Sequence, residues 1–145
     1  MFIVDDTALN FEIPARDSLG REAVLGKLSG TQDKVLLTWR LKDRTFRKSD
    51  GDMHTVEIPY LQVESVTYKA MFGFYKPRLI FLVADPHLIA DVPGTDVGRA
   101  TLWLAPKSKT EARKFIKLVE FKKTEEEANQ ARARLLDIPA PGALD

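Results

Sequence analysis

The sequence predicts a mainly β domain that ends in one amphipathic α-helix. Two observations lead to this prediction: apolar residues recur with a period of two along most of the chain, and the clearest helix-start signal lies close to the C-terminus. The 145 residues are enough for one domain with a single hydrophobic core. We therefore expect one domain over residues 1–138, with its helix at about residues 124–137, and a flexible tail over residues 139–145.

The first half of the chain has the pattern of strands joined by turns. The segment MFIVDDTALNFEIP fits a first strand, and in KVLLTWRLK every second residue is large and apolar, as in a half-buried strand. The sequence SDGD at residues 49–52 suits a tight turn, after which MHTVEI resumes the alternation. Residues 18–28 fit either a strand, through Val24 and Leu28, or a short helix that opens at Ser18. We favour the strand.

The middle of the chain predicts a bend and then a hairpin. Pro59 removes a backbone donor, so YLQ should bend the chain there. The runs VESVTYKA and RLIFLVA then form two strands with MFGFYKP between them. Residues 85–98 carry two prolines and two glycines and are expected to be irregular, and RATLWLA is a further strand.

The C-terminal region leaves one alternative open. Residues 110–122 contain good helix formers, yet FIKLVEF is rich in strand-forming residues, and we favour a strand. Thr124 and Glu127 have capping-box spacing, which places the helix start at Thr124. The predicted helix carries a stripe for docking onto the domain and ends before Pro139; the stripe consists of Ala128, Ala131, Leu135 and Ile138.

Composition limits the partners and the compartment. The 22 Lys and Arg nearly balance the 21 Asp and Glu, so net charge does not demand nucleic acid or an anionic membrane as a partner. The absence of cysteine excludes a disulfide framework and a thiolate metal site. The N-terminus lacks the pattern of a cleaved secretory signal, and no apolar run approaches the roughly 20 residues of a membrane-spanning helix. We expect a cytoplasmic location, with peripheral attachment to a membrane as the alternative.

A family resemblance rests on residues 33–137. A strand such as LLTWRL, a turn, and then Ile58, Pro59, Val63, Ser65 and Val66 resemble the core of bacterial-type pleckstrin-homology-like domains, including the GRAM group. The junction FKKTEEEA at residues 121–128 is also similar to theirs. The resemblance implies a strongly bent antiparallel sheet of about seven strands, closed into a partly open barrel that the helix caps at one end. It also implies homo-oligomer formation, since several such domains assemble through edge strands.

Two sets of surface residues are candidates for binding. The resemblance implies that an anionic lipid headgroup would meet basic residues on the first hairpin, where the chain offers Lys27 and Lys34 but lacks the Arg that the family pattern expects. A later basic cluster comprises Lys42, Arg44, Arg47 and Lys48. Charge that keeps a solvated strand edge from pairing is the commoner explanation of such a cluster. The second set is the hairpin tip, which either folds into the core or forms an exposed contact for a protein partner or a membrane; it comprises Met71, Phe72, Phe74, Tyr75, Lys76 and Arg78.

No motif in the sequence indicates catalysis. The two histidines, His54 and His87, form no pair at helical spacing, and neither a nucleophilic triad pattern nor a glycine-rich phosphate loop is present. We therefore expect no enzyme activity, metal or cofactor. The sequence favours a binding or assembly module that acts through protein contacts, including self-association. A lipid- or small-ligand-binding domain is the alternative, a small β-barrel enzyme is a distant third, and nucleic acid is not an expected partner.

Overall fold

The computed structural model describes residues 7–14, 23–42, 53–70 and 76–137. Within these residues the chain forms seven strands and one long helix, which confirms the predicted mainly β fold with a single C-terminal helix. The elements are β1 (Ala8–Ile13), β2 (Val24–Gly30), β3 (Lys34–Leu41), β4 (His54–Pro59), β5 (Val63–Lys69), β6 (Arg78–Val83), β7 (Arg99–Trp103) and α1 (Lys109–Asp137). Three short 3-10 helices span Tyr60–Gln62, Pro86–Ile89 and Pro106–Ser108.

The seven described strands form one antiparallel sheet that curls on itself. Its strand order is β4-β3-β2-β1-β7-β6-β5, so β4 and β5 are its two edges although they follow each other in the chain. The edges of a flat sheet of this size would lie about 29 Å apart. The four Cα steps from Pro59 to Val63 reach about 15 Å at most. The link through Tyr60–Gln62 therefore requires a strongly bent sheet, which stays unclosed because its edges do not pair.

The inner face of the bent sheet follows the predicted alternation. In β3, Val35, Leu37 and Trp39 are buried while the residues between them are only half-buried. Two glycines of β2, Gly26 and Gly30, lie on the inner face, where there is no room for a side chain. A Cβ atom at residue 26 would meet the Phe11 ring and the Thr38 carbonyl oxygen, and one at residue 30 would meet Leu118. Glycine at these positions lets a ring and a helix side chain approach the sheet closely.

Several predicted elements are confirmed by strand pairing. Residues 24–28 are strand, β3 pairs with β4, and β5 pairs with β6 as a hairpin. YLQ bends the chain as a 3-10 helix, and the region of residues 85–98 is largely irregular. The predictions for residues 1–6, 18–22, the turn at 49–52, the hairpin tip at 71–75 and the tail at 139–145 lie outside the described residues.

The strand interpretation of residues 110–122 is wrong, and so is the predicted helix start at Thr124. Helix α1 begins at Lys109, and Thr124 and Glu127 lie inside it. The reason is the burial of Ala112, Phe115 and Val119, each at most 2% exposed, at the spacing of one helix face. Tertiary burial of this stripe outweighs the modest strand preference of FIKLVEF.

The docking stripe predicted on residues 128–138 is also wrong for its described members. Ala128, Ala131 and Leu135 are exposed, and Ile138 lies outside the described residues. The helix instead contacts the 3-10 turn at residues 60–62, β1, β2 and β5 through its first half. Residues 124–137 extend about 20 Å beyond this packed base.

Lys122 marks the point where α1 leaves the sheet. Its side chain is 6% exposed, and its ammonium group donates a hydrogen bond at 3.1 Å to Glu125, which is 44% exposed. The aliphatic stem is thus buried while the charge reaches a carboxylate near solvent.

Tyr60 stabilises the 3-10 helix that joins the two edge strands, β4 and β5. Its side chain is 1% exposed, and its hydroxyl donates a hydrogen bond at 2.6 Å to the carbonyl oxygen of Thr31 in the β2–β3 loop. Burial, reinforced by the nearby Asp33 carboxylate, raises the pKa of Tyr60 to about 12.

The helix register predicts a contrast between two phenylalanines. Phe115→Ala removes a fully buried ring and should lower the free energy of unfolding by about 3–5 kcal/mol. Phe121→Ala truncates a ring that is 55% exposed and should change it by less than about 0.5 kcal/mol. Urea unfolding of both variants in dilute solution measures the difference. Equal losses would contradict the placement of this helix.

The buried phenol predicts an alkaline loss of stability. The folded state resists ionisation of Tyr60, whereas the unfolded chain ionises near its ordinary pKa of about 10. The stabilisation is therefore present below pH 10 and is lost as the pH rises towards 12, by roughly 1–2 kcal/mol after screening by solvent. In the Tyr60→Phe variant this part of the decline should be absent. Unfolding curves at several pH values test it, and parallel declines in both proteins would rule it out.

Candidate functional site: the β5–α1 groove

The described basic residues of the predicted anion site do not converge. Lys34 is the first residue of β3 and Lys42 directly follows its last residue, so the two are about 26 Å apart along the strand direction. Each faces a carboxylate, with Lys34 Nζ 2.7 Å from Glu57 Oε1 and Lys42 Nζ 3.5 Å from Glu12 Oε2. The hydrogen bond that the Lys34 ammonium donates to Glu57 raises the pKa of Lys34. Arg44, Arg47 and Lys48 lie outside the described residues.

Lys27 belongs to a different surface, which the sequence did not suggest. It lines an open groove of about 300 Å³ on the outer face of the sheet. Arg40 supplies a second cation there, and Leu25 and Met53 supply apolar surface. This surface could attract an anion with an apolar portion.

The hairpin tip is described only at its C-terminal side. Met71, Phe72, Phe74 and Tyr75 lie outside the described residues. Lys76 is exposed, whereas the guanidinium carbon of Arg78 lies 5.2 Å from the centre of the Trp103 ring on β7. A cation–π contact of this kind holds Arg78 against the neighbouring strand.

Both histidines make structural contacts. The His87 backbone N–H donates to Asp85 Oδ1 at 3.1 Å, and this bond is the main reason that the pKa of Asp85 is lowered. Asp85 thereby caps the 3-10 helix that follows it. His54 stacks on Trp39 with ring centres 4.4 Å apart. Among the described residues, no group of three His, Asp or Glu side chains could hold a metal ion.

A groove beside the sheet edge has the geometry of a binding site. Strand β5 is an edge of the sheet, so one side of its backbone pairs with no described strand. Between β5 and the packed half of α1 lies a groove of about 170 Å³. It is lined by Val63, Glu64, Ser65, Val66, Ile116, Val119, Glu120 and Lys123.

The groove has an apolar floor and a charged rim. Val63 and Val119 are buried, while Val66 and Ile116 are half-buried and pack against the core. Glu120 and Lys123 stand on the helix side, and Lys123 Nζ donates a hydrogen bond to the Glu64 carbonyl oxygen at 3.3 Å. This bond holds the helix against β5 at the point where the pairing of β5 with β6 is shifted, between Val63 and Ser65.

Such a groove can accept an extended chain segment. The free edge of β5 offers backbone donors and acceptors to a new strand, and the space between Val66 and Ile116 can receive an apolar side chain. The sequence interpretation missed this site because it assigned residues 110–122 to a strand. A helix over these residues would have placed Ile116 and Val119 on a face that packs on the sheet.

Comparisons of the chain with protein-family models, curated proteins and solved structures give no match. In the described part of the chain, no helix has both the length and the apolar character needed to span a membrane.

Proposed function

We propose that this protein is a non-catalytic binding module of the pleckstrin-homology-like class, which recognises an extended segment of a protein partner in the β5–α1 groove. The strand order and the single C-terminal helix are compatible with that class. A cytoplasmic location, with access to membrane surfaces, is part of the proposal.

The observation that carries the proposal is the open edge of β5 beside an apolar groove. An edge strand of this kind usually needs protection, because its unpaired backbone groups can pair with other chains. Here the helix lies next to the edge and contacts the Glu64 carbonyl through Lys123, while no described strand pairs with this side of β5. The volume of about 170 Å³ is below the roughly 300–1,000 Å³ of ordinary small-molecule pockets, so it suits a side chain better than a cofactor.

Recognition of a partner would use two kinds of contact, one with the β5 backbone and one with the side chains that line the groove. Hydrogen bonds along β5 provide affinity for any extended chain, and the apolar floor selects for a partner side chain at one position. Glu120 and Lys123 at the rim favour partners with complementary charges near that position. The lining residues offer one hydroxyl, on Ser65, with no histidine beside it, which supports a binding role over a hydrolytic one.

A second candidate function is favoured by the outer groove that contains Lys27 and Arg40. Two cations next to Leu25 and Met53 suit an anionic lipid headgroup with its adjoining apolar chain. Co-sedimentation with phosphatidylserine vesicles that is lost in a Lys27→Glu, Arg40→Glu variant would favour this function.

The proposed site predicts where peptides bind. Peptides selected from a random nonapeptide library against the full chain should perturb backbone NMR signals of residues 63–69 and 116–123. Val66→Glu places a charge on the groove floor and should weaken binding at least about tenfold, a loss of about 1.4 kcal/mol. Thr67→Glu, exposed and one residue away on the other face of β5, should change the affinity less than twofold.

Two controls make this experiment decisive. Circular dichroism and urea unfolding verify that the Val66→Glu variant is folded, and the Thr67→Glu variant carries the same new charge on the same strand but outside the groove lining. Peptides that map to another surface, or equal losses in the Val66 and Thr67 variants, would refute the proposed site.

A further inference from the structure

We propose that the projecting half of α1 is a self-association surface, which pairs in antiparallel orientation with the same segment of a second copy of this chain. This surface is separate from the β5–α1 groove, so the inference does not depend on the proposed peptide recognition. We name it the outer stripe, and it consists of Phe121, Thr124, Ala128, Ala131 and Leu135.

The outer stripe is exposed in the single chain. Every described side chain from Glu127 to Leu136 is exposed, and Leu135 is 70% exposed. Phe121 is 55% exposed at the other end of the stripe. An isolated helix of this length gains little stability from propensity alone, so burial of this stripe would stabilise it.

The stripe has coiled-coil spacing and faces away from the sheet. Phe121, Ala128 and Leu135 are seven residues apart, and Thr124 and Ala131 fall between them at the complementary positions of the heptad. At about 100° per residue, the centre of this stripe lies roughly 170° around the helix from the packed residues Ala112, Phe115 and Val119. A second helix can therefore lie on the stripe without meeting the sheet.

Symmetry fixes which residues would face each other. In an antiparallel pair with a two-fold axis, Ala128 lies opposite Ala131 of the second copy, and Thr124 lies opposite Leu135 of the second copy. Each layer occurs twice. The small side chains of Ala128 and Ala131 at the centre allow a close approach of the two helices, and Thr124 and Leu135 fill the layers on either side.

The flanking charges select the antiparallel orientation. In this register Glu127 faces Arg134 of the second copy, and Glu125, which also accepts a hydrogen bond from Lys122 of its own chain, faces Arg132 of the second copy. Symmetry makes four facing pairs of opposite charge. In a parallel pair Glu127 would face Arg132, but Glu120 would face Glu125 and repel it. Within the described residues, Glu127 and Arg134 have no ion-pair partner, so both are available to a second chain.

The size of the contact predicts weak, concentration-dependent pairing. The stripe from Phe121 to Leu135 covers about four helical turns. A contact this short buries less area than the roughly 1,200–2,000 Å² of a stable interface. We therefore expect monomers in dilute solution and dimers at high concentration.

The first test compares two neighbouring leucines by sedimentation equilibrium of the full chain from about 10 μM to 1 mM. Wild-type protein should shift from monomer to dimer, and Leu135→Glu should weaken dimerisation at least tenfold. Leu136→Glu is the matched control, because Leu136 is 81% exposed but lies about 100° around the helix from Leu135. A wild-type chain that stays monomeric, or equal effects of both substitutions, would overturn the inference.

The second test determines the orientation by disulfide formation, for which the cysteine-free chain is suited. Thr124→Cys mixed with Leu135→Cys should give a covalent heterodimer under mild oxidation. Thr124→Cys alone should not cross-link, because antiparallel pairing separates its two copies by about 16 Å. Efficient cross-linking of Thr124→Cys alone would show parallel pairing and overturn the inference.

Peptide binding and dimerisation should be lost independently of each other, because they use separate surfaces. Leu135→Glu should leave peptide binding at the β5–α1 groove unchanged, and Val66→Glu should leave dimerisation unchanged. Loss of both properties in either variant would contradict the separation of the surfaces.

Discussion

The three-residue link between β4 and β5 is the constraint on which the rest of the structure depends. It joins the two outermost strands of the sheet, and this is feasible only if the sheet curls until its edges approach each other. Strands β1 and β7 complete the curl through a contact whose registered pair is Glu12 and Trp103. The curled sheet still has an opening at the corner, where Tyr60 is buried and the first half of α1 packs. The first half of the helix is therefore part of the hydrophobic core, and its second half projects from the domain.

The same constraint explains why α1 presents two different surfaces. Its first half packs on the corner and forms one wall of the groove beside β5. Lys123 makes a last hydrogen bond to β5, and every described side chain from Glu127 to Leu136 is exposed. A short helix would have sufficed to fill the opening. The additional turns, with an apolar stripe and unpaired charges, support a role outside the domain itself.

The sequence predicted the strands well because their burial alternates residue by residue, as in Val35, Leu37 and Trp39. It failed at residues 110–122, because Phe115 and Val119 suit a strand face and a helix face equally, and only contact with the sheet decides between them. The groove beside β5 could not be predicted for the same reason, since one of its walls is this helix. Of the basic residues proposed for anion binding, only Lys27, Lys34 and Lys42 are among the described residues; an extended strand separates Lys34 from Lys42, and each pairs with a carboxylate, on Glu57 and Glu12.

The division of α1 into a packed half and a projecting half can be measured directly by hydrogen exchange with mass spectrometry in dilute solution. Amides of residues 112–122 should be protected to nearly the level of the core strands, because they open only when the domain unfolds. Amides of residues 127–137 should exchange much faster, since every described side chain from Glu127 to Leu136 is exposed. Uniform protection along the whole helix, or rapid exchange in residues 112–122, would contradict this division.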